Sequence, residues 1–195
     1  MLCIVLVYNI IVEFGKEYIV ELLKETCRLI DWPDQIELLL VGGAAAMLGD
    51  LLPPSRVTQD CDVMNYAPLE AQNAVLNAAR QVAHGRGLPE NWLNFQAMSL
   101  NVLPDGWKSR RVYIGTFGRV SIYAAGRIDL LCMKFYANRP QDREDIVAIK
   151  PTMDELEYIR KYLDMLKLPS RLADLDQVES AVTLLNAIKG LSDES

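Results

Sequence analysis

The sequence predicts an α/β (α+β) fold: a mixed sheet flanked by helices, with a helical C-terminal part. Three observations carry that expectation. A short continuous apolar run, "IELLLV" at 36–41, ends at Gly42-Gly43 and leads into the helix-forming "AAAML". The stretch "RVTQDCDVM" at 56–64 is β-branched and alternating. From Gly126 onward every apolar pattern has helical spacing. The expected organisation is one domain over 1–195, with an α/β core over 16–125 and a helical extension over 126–195 packed on it.

The elements follow in order. "KEYIVELLKETCRLI" places Ile19, Leu22, Leu23, Thr26 and Ile30 on one face, an amphipathic helix that "DWPDQ" ends. The run at 36–41 reads as a central strand, and the glycines turn it into a helix. Pro53-Pro54 cannot continue that helix, so "GDLLPPS" is a loop. After the strand at 56–64, Pro68 opens a helix that Gly85 closes. "LPENWLNFQAM" reads as a short helix. "RVYIGTFGRVSIYA" gives two strands around a Gly-containing turn. Pro140 starts one of the later helices, Thr152 and Glu155 form a capping box for the next, and Gly190 stops the last.

Composition narrows the function. The chain is 51% hydrophobic and 24% charged, with net charge −6 and pI about 4.9. An acidic body argues against indiscriminate nucleic-acid binding, though not against a local basic groove. Cys3, Cys27, Cys61 and Cys132 are scattered and remote from His84, which argues against zinc. The opening "MLCIVLVYNIIV" is shorter than the roughly 20 residues of a membrane span and lacks signal-peptide features. It predicts a buried element or a homodimer contact in a cytoplasmic protein without a membrane partner.

Asp60 and Asp62 carry the chemistry. Side chains two apart on a strand share a face, roughly 6–7 Å apart at Cα. Two such carboxylates can converge on one or two Mg²⁺ ions, which activate an attacking oxygen and neutralise a leaving phosphate. Gly42 and Gly43 supply the complement. Backbone without a Cβ approaches a phosphate closely, and the following helix offers free N–H donors.

The segments "VGGAAAML" and "RVTQDCDV" resemble the signature of the nucleotidyltransferase superfamily of the DNA polymerase β type. "GRIDLLCMKFYANRPQDREDIVAI" is similar to the lysine-containing motif of bacterial nucleotidyltransferases of the abortive-infection toxin type, through Leu130, Lys134, Arg139, Asp142 and Asp145. "ENWLN" before "LPDGW" also fits that group, and the resemblance covers roughly residues 16–150. It implies a Mg²⁺-dependent enzyme moving a nucleoside monophosphate from an NTP to a hydroxyl of RNA, protein or a small molecule. A toxin or phage-defence role with a cognate antitoxin goes with it. By the same resemblance Gly42 and Gly43 hold the triphosphate, Asp60 and Asp62 ligate Mg²⁺, and Arg56 and Thr58 flank the metal strand. Lys134 acts on phosphate or acceptor, and Arg139 anchors the phosphate tail or the next helix. Read by themselves, Asp142 and Asp145 suit the start of a helix, where acids complement its dipole.

The sequence departs from that superfamily in one respect. A third carboxylate normally sits on a later strand beside the DxD, and "RVYIGTFGRVSIYA" has none. Asp129 starts a helix, while Glu90 and Asp105 fall in loops. The alternative is therefore a catalytically inactive relative that binds nucleotide or a partner. Among weaker features, Lys108, Arg110 and Arg111 could meet an RNA backbone or form a solvated turn. Trp92, Trp107 and Tyr113 could stack a base or fill core and rim. His84 suits a helix C-terminus.

Overall fold

The computed structural model describes residues 12–65, 69–97, 102–171 and 173–193. Its sheet is built from β1 (Ile36–Leu40), β2 (Cys61–Asn65), β3 (Leu93–Asn94), β4 (Val112–Phe117) and β5 (Val120–Ala124), in the order β3-β2-β1-β5-β4. Strand β1 is central, as its apolar run predicts. Ile36, Leu38, Leu39 and Leu40 are all buried, and only Glu37 reaches outward to Arg111. It pairs antiparallel with β2 and parallel with β5, and β4 closes a hairpin onto β5. The sheet is therefore mixed.

The helices are α1 (Lys16–Leu29), α2 (Gly42–Leu48), α3 (Leu69–Arg86), α4 (Trp107–Arg110), α5 (Arg127–Ala137), α6 (Pro140–Ile149), α7 (Met153–Leu166) and α8 (Leu175–Asp193), with a 3₁₀ turn at Pro169–Arg171. Helix α1 buries Ile19, Leu22, Leu23, Thr26 and Cys27, and its expected member Ile30 lies just past the helix end. The alanines of α2 are fully buried, which lets its backbone pack closely between β2 and α5. Thr152 caps α7 as predicted: its Oγ1 accepts the Glu155 N–H at 3.2 Å, and Glu155 accepts the Thr152 N–H at 2.8 Å. One apolar cluster runs from Phe14 to Leu185, each large side chain in it worth about 1.5–3 kcal/mol of burial.

Four local expectations are corrected. Strand β2 begins at Cys61; Thr58 makes only an isolated bridge to Phe14, so Arg56 to Asp60 form a loop and Asp60 sits one residue before the strand. "LPENWLN" contains the short strand β3, because Trp92 is drawn into the core. Its Nε1 donates to the Ala79 carbonyl at 3.0 Å, and its own carbonyl accepts the Cys61 N–H at 2.6 Å. Helix α3 runs through Gly85, where nothing opposes continuation, and ends before Gly87 at φ +65°. Helix α8 likewise runs through Gly190, held by buried Val178, Ala181 and Leu185 against α5 and α7. The apolar opening up to Ile11, and Pro68, lie outside the described residues. No helix among the described residues is long and apolar enough to cross a membrane.

Candidate functional site

The topology gathers the candidate residues at one end of the sheet. Parallel strands β1 and β5 both end there, and helices α2 and α5 leave from their carboxyl ends. Antiparallel β2 begins there, so Asp62 lies beside the start of α2 and its carbonyl accepts the Val41 N–H at 2.9 Å. Sheet ends of this kind are where open α/β sheets place ligands.

Gly42 is required by geometry. Its φ of +67° disfavours any side chain, and a Cβ there would stand 2.7 Å from Asp62 Oδ2. At Gly43 a Cβ would lie 3.2 Å from Thr58 Oγ1. The two glycines thus keep the α2 backbone against the acid pair. Thr58 Oγ1 lies 3.3 Å from the Asp60 carbonyl and 3.4 Å from Asp60 Oδ1, which orients that loop. Cys61 and Val63 point into the core while Asp60 and Asp62 remain half-buried, as the alternation predicts. Burial and the neighbouring Asp60 charge push the Asp62 carboxyl above its usual range, against the Asn94 hydrogen bond and the Arg139 charge.

The opposite wall comes from α5 and α6. Lys134 is 3% exposed, with Nζ 2.6 Å from Asp145 Oδ2 and 3.4 Å from Asp142 Oδ1. It is a buried, doubly paired lysine and not one that snorkels to solvent. Arg56 donates to Asp145 through Nε at 2.9 Å and Nη2 at 3.3 Å. Arg139 donates to Asp142 through Nε at 2.7 Å, and its backbone N–H reaches the same oxygen at 3.3 Å. Burial alone would raise the Asp145 carboxyl, but the hydrogen bonds and charges of Arg56 and Lys134 outweigh it and hold it below the usual range. Asp142 and Asp145 are thus posts that fix three cations, a role beyond the helix dipole.

Between the walls lies a cleft of two lobes that share Asp62, Lys134, Arg139 and Asp142. The polar lobe, about 330 Å³, includes Gly43, Arg56, Thr58 and Asp60. Five acids (Glu13, Asp60, Asp62, Asp142 and Asp145) face three cations there, a formal surplus of two negative charges. The other lobe, about 500 Å³, is largely apolar. All eight site residues expected from sequence therefore meet in one cleft.

Sequence reasoning missed Asn94. It is 7% exposed, lies in register with Asp62 on the parallel neighbour β3, and its side chain hydrogen-bonds the Asp62 carboxylate. Its Oδ1 accepts the Gln96 N–H at 3.0 Å. Other candidates serve the fold. Arg110 pairs at 2.5 Å with fully buried Asp129, Arg111 pairs with Glu37 and stacks on Tyr123, and Trp92 is core. His84 is exposed in the last turn of α3. Among the described residues no group of three or more His, Cys, Asp or Glu side chains is arranged to hold a metal.

Residues 17–184 match the family described as nucleotidyltransferase of unknown function (DUF6036). The chain belongs to this family. No curated protein matches the chain, and no solved structure does. Membership in a nucleotidyltransferase family accords with a cleft that sets glycine-led helix, paired acids and fixed cations around one space.

Proposed function

We propose that this member of the family transfers a nucleoside monophosphate from an NTP to an acceptor hydroxyl, and that it falls within the DNA polymerase β-type superfamily near the abortive-infection toxin group. The supporting observation is the cleft itself: Asp60 and Asp62 on one wall, Lys134 and Arg139 on the other, Arg56 reaching from the loop of Asp60 across to Asp145, and Gly42 and Gly43 lining the two lobes. Mg²⁺ fits this donor set, since hard oxygen ligands on Asp60 and Asp62 face a cleft with two surplus negative charges. When bound, the ion would supply charge neutralisation on the phosphates. Gly42 and Gly43 leave room for a phosphate against α2. Lys134 and Arg139, held by Asp142 and Asp145, stand ready to stabilise the charge that develops on the departing pyrophosphate. In the transfer the acceptor oxygen bonds to the α-phosphorus, the bond to the bridging oxygen breaks, and the hydroxyl proton passes to water.

The test is incubation with each α-labelled NTP, Mg²⁺ and cell extract. Label should enter an acceptor with the wild type and not with the Asp60→Asn/Asp62→Asn variant; equal labelling by both defeats the reading. Asn94 favours a second reading, a nucleotide-binding relative without catalysis, because an amide beside Asp62 cannot take a proton. Under that reading the wild type binds nucleotide yet releases no pyrophosphate with any acceptor.

A further inference from the structure

The apolar lobe of the cleft has a rim with a definite hydrogen-bonding sense. Its floor is made by Val41, Ala97, Val102, Leu130, Met133 and Ala137, surfaces suited to a flat base. The lobe is also lined by exposed Asp174, half-buried Gln177 and buried Tyr136. The Gln177 amide is locked: Nε2 donates to the Tyr136 carbonyl at 2.7 Å and the Ala137 carbonyl at 2.9 Å. Both amide hydrogens are thereby used, and what Gln177 retains is its Oε1 acceptor. Asp174 is locked as well. Its Oδ1 accepts the Asp176 N–H at 2.9 Å and the Gln177 N–H at 3.3 Å, capping α8, while its own N–H donates to Tyr136 Oη at 3.2 Å. The second carboxylate oxygen remains as an acceptor.

We infer that this lobe takes the base of a guanine nucleoside triphosphate, with Asp174 and Gln177 accepting hydrogen bonds from its N1–H and 2-amino group. The inference rests on the nucleotidyl-transfer reading, which places the phosphates at the adjoining polar lobe. Guanine offers two adjacent donors on one edge, and a carboxylate can accept from both. Adenine sets an acceptor nitrogen beside its amino group, so an acceptor-only rim meets it with one repulsive contact. Cytosine and uracil likewise present acceptors on that edge.

Equilibrium binding of the Mg²⁺ complexes of GTP, ITP, XTP, ATP, CTP and UTP tests this. ITP lacks the 2-amino group and should bind the wild type about tenfold more weakly than GTP, with ATP and both pyrimidine nucleotides weaker than GTP by a similar factor. Asp174→Asn keeps the helix cap, since Asn caps as well as Asp, but turns the free side into a donor. That variant should lose the preference for GTP and gain affinity for XTP, whose 2-oxo group accepts a hydrogen bond. Equal binding of all six, a ranking led by another nucleotide, or a ranking unchanged by Asp174→Asn overturns the guanine assignment alone. Failure of every nucleotide to bind overturns the transfer reading along with it.

Discussion

The two walls of the cleft carry two acids each and use them in opposite ways. Asp60 and Asp62 project from a loop–strand junction and form no ion pair with a described residue, and the Asp62 carboxyl is pushed up by burial and by Asp60. Asp142 and Asp145, one turn apart on α6, are each 2% exposed and between them hold Arg56, Lys134 and Arg139. There the Asp145 carboxyl is held down despite burial. Acids left without cations keep oxygens open to the cleft, whereas acids saturated with cations serve as scaffolding. The same residue type thus stands open on one wall and gives rigidity on the other.

The largest expected effect breaks the first wall. Asp60→Asn/Asp62→Asn should lower the transfer rate about a thousandfold in a labelled-NTP assay. It should leave the melting temperature equal or higher, because the amide removes an unfavourable buried charge. The second wall should respond in the reverse sense. Asp145→Asn leaves Lys134 and Arg56 without their shared partner and should cost about 3–5 kcal/mol in denaturant unfolding.

The pH dependence sharpens the same contrast. Asp145 has a folded-state pKa below the ordinary 3.8, so its contribution is complete above that value and is lost as pH falls through the depressed one. The stability gap between wild type and Asp145→Asn should therefore close in strong acid. For Asp62 the folded value is raised, and its ionised form opposes folding. The advantage of Asp62→Asn should be greatest at neutral pH and vanish below 3.8.

Two glycines give the smallest and most local test. Gly42→Ala, at φ +67° and facing Asp62 Oδ2, should cost about 1–2 kcal/mol and weaken nucleotide binding. Gly85→Ala, in the last turn of α3 with nothing within 4 Å of the added Cβ, should stabilise the fold by about 0.5 kcal/mol. Thermal melts of both variants separate a glycine the site requires from one the helix merely tolerates.

The sequence made some of this plain. The run at 36–41 is apolar on both faces, so its central place in the sheet could be read directly. Asp60-Cys61-Asp62 alternates, so the core position of Cys61 followed. The position of Lys134 and Arg139 near the acid pair came through resemblance. What could not be read depended on distant partners. Arg56 meets Asp145 across 89 residues, and without that contact Asp145 looks like one more acid early in a helix. Strand β3 is two residues long, too short for alternation to show, so Asn94 gave no signal of its place beside Asp62. Gly85 and Gly190 look like helix ends, but each stands in open space, where a glycine costs a helix only about 1 kcal/mol, and the turn continues past it.

The central claim is that the unpaired acids, and not the paired ones, receive the metal–nucleotide. Thermal melts of wild type and Asp60→Asn/Asp62→Asn, each with and without Mg²⁺ and NTP, test it most directly. At a hundredfold excess over Kd the wild type should gain about 2.7 kcal/mol of stability. The variant should melt at or above the unliganded wild type and gain nothing. An equal gain in both proteins, or a gain that needs no Mg²⁺, would contradict the account.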